Sequence, residues 1–429
     1  MKSSVPAALL TCLFFIQMGH AVTPGAKTLI YHETKSNAVA RRELEPRAMP
    51  HYEIPLRLLD IDFADRFPER IRQHLIFEHN GEKYARWIIN PEDTLWFKEV
   101  AQHFRAQGID LIKKYYFTGY QTASRSYIVE DPNKTIQFSV KSSTNKADGD
   151  WLKKKQPVGE AIDSRMNADI LSFVQKKLQF EHAIILDEPA ILKIPAIDQA
   201  VVIRDLHALN DSSSGRYYLP GFAALHETTG KKIALQNGSN NPLDFWTEHY
   251  IKATARAMAE LAARTGIQFD SPHSQNFLIE LDINMKPTGR IVLRDLADFY
   301  IYEKFMHALH PDAQTYLRNY SQRDRLIDYI HASFAPLHGN SNPTWVNDAQ
   351  YTQWKEIYYS EFEKTFSKIS NLPLATFKTT GSYQVAKYFK QRYTIDGNSD
   401  AVQKFWKNVS ETKTPRGIVS CSRALISRH

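Results

Sequence analysis

The stretch Gly266-Ile267-Gln268-Phe269-Asp270-Ser271-Pro272-His273-Ser274-Gln275-Asn276, followed later by Arg294-Asp295-Leu296, decides how this chain is read. Between the two pieces, Phe277, Ile279, Leu281 and Ile283 recur at the period of a strand and share one face. Residues 284–289 read as a turn, and Arg290-Ile291-Val292-Leu293 as the returning strand. A hairpin of this length brings its entrance and exit together. His273, Gln275 and Asn276 stand at the entrance and Asp295 at the exit, so an imidazole, two carboxamides and a carboxylate are expected in one small region. A long helix over residues 244–265 precedes the hairpin. Asp244 is its expected N-cap, and Gly266 its stop, because glycine tolerates the left-handed backbone there.

An Asn oxygen and an Asp carboxylate are hard ligands, suited to Mg2+ on a nucleotide phosphate. Protein kinases place an Asn and a later Asp around a short hairpin by the same logic. For one His and one Asp alone, simple clustering of polar residues at strand ends is the better explanation of the pattern. Upstream, residues 183–186 and 200–203 are strand-like, the second ending on Arg204-Asp205. Residues 161–179 read as a helix. Residues 127–145 read as extended, with Ile136, Phe138 and Val140 alternating with Gln137, Ser139 and Lys141. Residues 93–107 have the apolar spacing of an amphipathic helix. Residues 22–50 read as a leader or loosely packed arm. Residues 207–242 read as loops around a short apolar patch, and the chain beyond residue 299 as aromatic and mostly helical.

The 429 residues are 43% hydrophobic and 24% charged, which is enough apolar material for a large core and argues against global disorder. The net charge of +7 favours anionic ligands, but no Lys/Arg run marks a nucleic-acid binder. Lys2, an apolar stretch over 5–18 and Gly19-His20-Ala21 form an export signal, with cleavage expected after Ala21. The stretch is shorter than the ~20 residues of a spanning helix, and no other segment is apolar enough to span a bilayer. Of the two cysteines, Cys12 lies in the signal, leaving Cys421 alone and excluding both an intramolecular disulfide and a cysteine metal cluster. No phosphate-cradling Gly-Lys-Ser/Thr loop, nucleophile elbow or His-Glu-x-x-His is present.

The run Trp246, Tyr250, Gly266-Ile267, His273-x-Gln275-Asn276 and Arg294-Asp295 resembles the signature of the IucA/IucC family of siderophore synthetases. Further pieces match in order: Ser143-Thr144 with Lys146, Ser164-Arg165, Glu188, and Arg204-Asp205. Ser271 and Pro272 stand where the family carries a Glu, and Lys146 stands for an Arg. The resemblance implies an α+β, hand-like synthetase fold with a central nucleotide-binding mixed or antiparallel sheet flanked by helices. It divides the chain into a signal (1–21), an N-terminal α/β region (22–135), a nucleotide-binding core (136–300) and a mainly helical C-terminal region (301–429).

The resemblance also implies a reaction: ATP adenylates a citrate-like carboxylate, and an amine or hydroxyl then displaces AMP. Ser143, Thr144, Lys146 and Arg165 would hold phosphates. His273, Gln275 and Asn276 would contact phosphates or the activated acyl group, and Asn276 with Asp295 would hold Mg2+. His273, Asn276 and Arg165 are the implied catalytic residues. Taken alone, Arg165 reads better as a solvated helix arginine and Trp246 and Tyr250 as core, while Glu188 reads equally as a substrate contact or a surface turn. The expected partners are small-molecule carboxylates and amines, with a homodimer left open. Export conflicts with ATP use. The alternatives are therefore a secreted kinase-like effector, or a periplasmic ligand-binding protein that has lost the chemistry.

Overall fold

The computed structural model describes residues 24–37, 44–122, 125–146, 154–209, 215–270, 272–337, 342–385, 388–396 and 398–411. The export signal lies outside them. In chain order the strands are β1 (Arg47–Pro55), β2 (Asp60–Phe63), β3 (Ile76–His79), β4 (Glu82–Ile88), β5 (Lys114–Gln121), β6 (Ser126–Glu130), β7 (Gln137–Lys141), β8 (Ala183–Ile185), β9 (Ala190–Ile194), β10 (Gln199–Asp205), β11 (Tyr217–Pro220), β12 (Ile267–Phe269), β13 (Phe277–Leu281), β14 (Pro287–Leu293), β15 (Phe299–Tyr302), β16 (Leu326–Ile327), β17 (Ile330–Phe334), β18 (Phe377–Val385) and β19 (Tyr388–Ile395).

The alternation over residues 136–141 produces a strand buried on both faces. On one face Phe138 and Val140 pack with Val201 and Ile203 of β10 and with Val100 and Phe104 of the helix Trp96–Arg105. Removing a side chain such as Phe138 from water contributes roughly 1.5–3 kcal/mol. The opposite face carries Gln137, Ser139 and Lys141, opposite Val202 and Arg204 of β10. This polar face is also covered, and its burial is the feature that creates the site. The sheet has nine antiparallel strands in the order β2-β9-β10-β7-β6-β5-β1-β4-β3. The helix Val158–Gln175 lies over part of the polar face, packing Ala161 on Ile191, Ala200 and Val202. A second sheet, β11-β13-β14-β8, packs nearby, with Leu278 and Val292 meeting Ile128 of β6. The sequence is therefore correctly read as α+β.

Several local expectations shift. The hairpin β13–β14 turns at Asp282, whose carboxylate accepts from Asn284 N at 2.8 Å and Lys286 N at 2.9 Å. The strand face consequently ends at Leu281, and Ile283 is 64% exposed. The long helix starts earlier than Asp244: Asn241 caps it, accepting from Asp244 N, and Pro242 takes the first helical position. The helix widens into a π-helical segment over Thr247–Lys252 and continues as Ala253–Thr265. It stops at Gly266 as expected. There φ is 73°, and a Cβ would lie 2.8 Å from Tyr302 O. The stretch expected as loops over residues 207–242 contains β11 and the helix Glu227–Gln236. The C-terminal region adds the sheet β17-β19-β18 to its helices.

Within the arm expected over residues 22–50, the described residues form regular structure. Pro24–Lys35 is a helix with Ala26, Leu29 and Ile30 buried in the small core that also holds Leu278 and Val292. Its Glu33 forms a buried ion pair with Arg294.

Candidate functional site

The polar face of β7 and the exit of β14 meet at Asp295. This residue is left-handed, with φ 67° and ψ 69°, a conformation that costs a non-glycine residue roughly 1–2 kcal/mol. Its carboxylate forms an ion pair with Lys141 Nζ at the end of β7. The Lys141 side chain is 7% exposed and that of Asp295 28%, so the cluster opens to solvent through the carboxylate. Burial would raise the Asp295 carboxyl, but Lys141, Arg204 and Arg125 outweigh it and hold the group well below the usual carboxylate range.

The neighbouring charges are fixed from several elements. Arg204 donates from Nε (2.9 Å) and Nη2 (2.5 Å) to the buried Glu188. The other Glu188 oxygen accepts from Leu296 N at 3.3 Å, which holds the backbone just past Asp295. Arg125 donates to Lys155 O at 2.8 Å and to Glu160 at 3.1 Å. Burial, and then the Arg125 charge, push the Lys154 ammonium below its ordinary value. Burial would raise the Glu160 carboxyl, but Lys141, Arg125 and Lys154 bring it below its ordinary value. Burial, together with the Asp295 charge, pushes the Asp298 carboxyl up. Four cations thus surround one partly open carboxylate.

The hairpin sets the entrance beside this cluster. Phe277 pairs with Leu293, and Arg294 N donates to Asn276 O at 3.2 Å. Arg294 Nε donates to Gln275 O at 2.9 Å while its Nη2 holds Glu33. His273, Gln275, Asn276 and Asp295 therefore stand at one end of the hairpin. His273 and Gln275 are half-buried, and Asn276 is buried. The Asn276 carboxamide has no hydrogen-bond partner among the described residues.

The other expected site residues lie elsewhere or are engaged within the protein. Ser143 Oγ accepts from Gln156 N at 2.8 Å and donates to Gln199 Oε1 at 3.4 Å. Thr144 is fully buried, bridges Lys154, and accepts from Lys146 N at 3.1 Å. Lys146 is exposed. Arg165 pairs with Asp169 and, at 3.3 Å, with Asp62. Successive helix positions turn by about 100°, so Arg165 points away from the face that carries Glu160 and Asn167, where Asn167 Nδ2 donates to Leu296 O.

Sequence reasoning missed Arg125, Lys141, Lys154 and Glu160. The available signal was the polar side of β7: Gln137, Ser139 and Lys141 at strand spacing, leading straight into Ser143-Thr144.

Of the two residues expected to hold Mg2+, Asp295 is already paired with a cation of the protein. The Asp295 carboxylate is taken by Lys141, Glu188 by Arg204 and Glu160 by Arg125. Among the described residues, no group of three His, Cys, Asp or Glu could hold a metal ion.

No family model matches the sequence, and no curated protein is similar to it in sequence. Solved structures do match. The petrobactin biosynthesis protein AsbB from Bacillus anthracis str. Sterne superposes with a TM-score of 0.54 at 13% identity, covering 86% of this chain and 70% of AsbB. The two chains share a fold. Two further structures, both from a hypervirulent pathotype of Klebsiella pneumoniae, align less closely. Aerobactin synthetase IucC gives a TM-score of 0.49 at 11% identity, covering 77% of this chain and 59% of IucC. ATP-bound aerobactin synthetase IucA gives 0.47 at 10% identity, covering 76% and 62%. No described helix is long and apolar enough to cross a membrane.

Proposed function

We propose that this chain is an ATP-dependent ligase of the siderophore-synthetase type, joining a citrate-like carboxylate to an amine or hydroxyl. The observation that supports this most is the cluster of Lys141, Arg125, Arg204 and Lys154 at the open end of the hairpin, built on a synthetase fold. Negative charge on phosphoryl oxygens is stabilised best by cations held in place before the reaction, because little reorganisation is then needed. In this reading Lys141, Arg204 and Arg125 face the phosphates. The carboxamide of Asn276 supplies the substrate contact, and His273 borders the reacting centre. A carboxylate oxygen attacks the α-phosphorus and pyrophosphate leaves. The amine or hydroxyl then attacks the acyl carbon, and AMP departs with the bonding pair. Export through the N-terminal signal belongs to the same proposal and places the reaction outside the cytoplasm or in a recipient cell.

A second reading is nucleotide binding without turnover. It is favoured by the Ser143 and Thr144 hydroxyls, both occupied within the fold. Pyrophosphate release from ATP, across a panel of di- and tricarboxylates with amines, separates the readings. Release that depends on carboxylate supports the ligase. ADP release indicates a kinase-like transferase, and binding without turnover supports the second reading.

A further inference from the structure

Asp295 is the carboxylate at the centre of the cluster, and its immediate partner is an ammonium supplied by the protein itself. Lys141 lies at the end of a strand buried on both faces, and its side chain is 7% exposed. The chain on either side is fixed as well: Ser142 N donates to Arg125 O at 3.1 Å, and Val202 pairs with Lys141 across the ladder. Arg204 and Arg125 contribute further positive charge at Asp295, and each is anchored by its own carboxylate. A divalent ion brought to Asp295 would have to displace Lys141 and then sit beside its ammonium and two guanidinium groups. Mg2+ also requires near-octahedral oxygen ligation at close range. The remaining carboxylates of the cluster are already shared with nitrogen cations or, at Asp298, pushed toward the protonated form by burial and Asp295.

We propose that the Lys141 ammonium stands in the place of a divalent cation at Asp295, so that this chain binds the polyphosphate of its nucleotide without Mg2+. The proposal rests on the nucleotide reading above. Lysine is a compact point charge with rotatable donors, so it can turn from the carboxylate toward a phosphate oxygen while remaining in the same pocket. Asp295 then orients the ammonium instead of holding a metal. Magnesium-free ATP carries more negative charge than its magnesium complex and should be the better ligand for a site whose cations are built in.

The test is calorimetric titration of the full chain with ATP, once in EDTA and once in excess MgCl2. Binding in EDTA as tight as in Mg2+, or tighter, is expected. Lys141→Met should weaken binding in EDTA at least tenfold, and Lys141→Arg should recover most of that loss. Asp295→Asn should tighten binding in EDTA, because it releases the ammonium; if Asp295 were a metal ligand, the same change would weaken Mg2+-dependent binding. If Lys141→Met fails to melt cooperatively, the Asp295→Asn arm decides alone. Binding that appears only with Mg2+ overturns the inference and leaves the nucleotide reading standing. Absence of ATP binding under both conditions overturns the nucleotide reading, and the inference with it.

Discussion

Glu33→Ala removes one half of the ion pair that ties the N-terminal helix to the hairpin end. The Glu33 side chain is fully buried and that of Arg294 is 4% exposed, so the mutation leaves a guanidinium in a dry site. Breaking a buried pair from one side costs about 3–5 kcal/mol. Arg294 keeps its bond to Gln275 O at 2.9 Å, which places the expected loss near the lower end, about 3 kcal/mol. With an unfolding entropy of roughly 2 cal/mol/K per residue, that loss lowers the melting temperature of a chain this long by about 3 °C. The assay is a thermal-melt cycle on wild type, Glu33→Ala, Arg294→Met and the double variant. The two losses should be strongly non-additive, with a coupling of about 2–3 kcal/mol, because each single variant already destroys the pair. Additive losses, or a Glu33→Ala shift below the error of the melt, would show that the helix Pro24–Lys35 is not anchored through Arg294.

Other outcomes follow from the same structure. Burial, with cationic neighbours in support, depresses His51 to about 4 and His32 to about 3, and burial depresses His331 to about 4 against the opposing Asp270 carboxylate. In the unfolded chain these groups take up protons near pH 6.5, so their contribution is complete above that pH and is lost as pH falls toward 4, by up to about 1.4 kcal/mol per pH unit for each histidine. Thermal melts between pH 7.5 and 4.5 should show this fall, and His331→Gln should flatten it; a Tm that is constant or rises toward pH 5 contradicts it. Arg165→Ala should destabilise the fold by about 2 kcal/mol through loss of its pairs with Asp62 and Asp169, while ATP affinity stays within about threefold. A larger affinity loss at unchanged stability would return Arg165 to the site. N-terminal sequencing of the protein from its host should begin near Val22, and an intact Met1 on soluble cytoplasmic protein would refute export.

The legible parts of the fold were those in which periodicity and chain-stopping residues agree. The hairpin ends, Gly266 and the apolar side of β7 all follow from local chemistry. The turn at Asp282 was misread because Ile283 continues the apolar alternation, whereas the Asp282 carboxylate satisfies two turn amides and ends the strand first. The helix Pro24–Lys35 was hidden because its polar residues are buried by tertiary partners, Glu33 by Arg294 above all, and no local pattern reports a partner so distant in sequence. The site was legible as a place more than as a list of residues. Lys146, expected to hold phosphate because it follows Ser143-Thr144 closely, is exposed, whereas Lys141, two residues before the pair, is buried against Asp295 by strand geometry. Arg125 arrives from the residue before β6 and Arg204 from β10, a convergence that only sheet order reveals.

The hairpin end with its built-in cations is the proposed nucleotide site. A crystal structure of the full chain with a non-hydrolysable ATP analogue tests this most directly. The triphosphate is expected against Lys141, Arg204 and Arg125, with Asn276 and Asp295 bordering it. A triphosphate bound elsewhere, with the Lys141–Asp295 pair undisturbed, would contradict it.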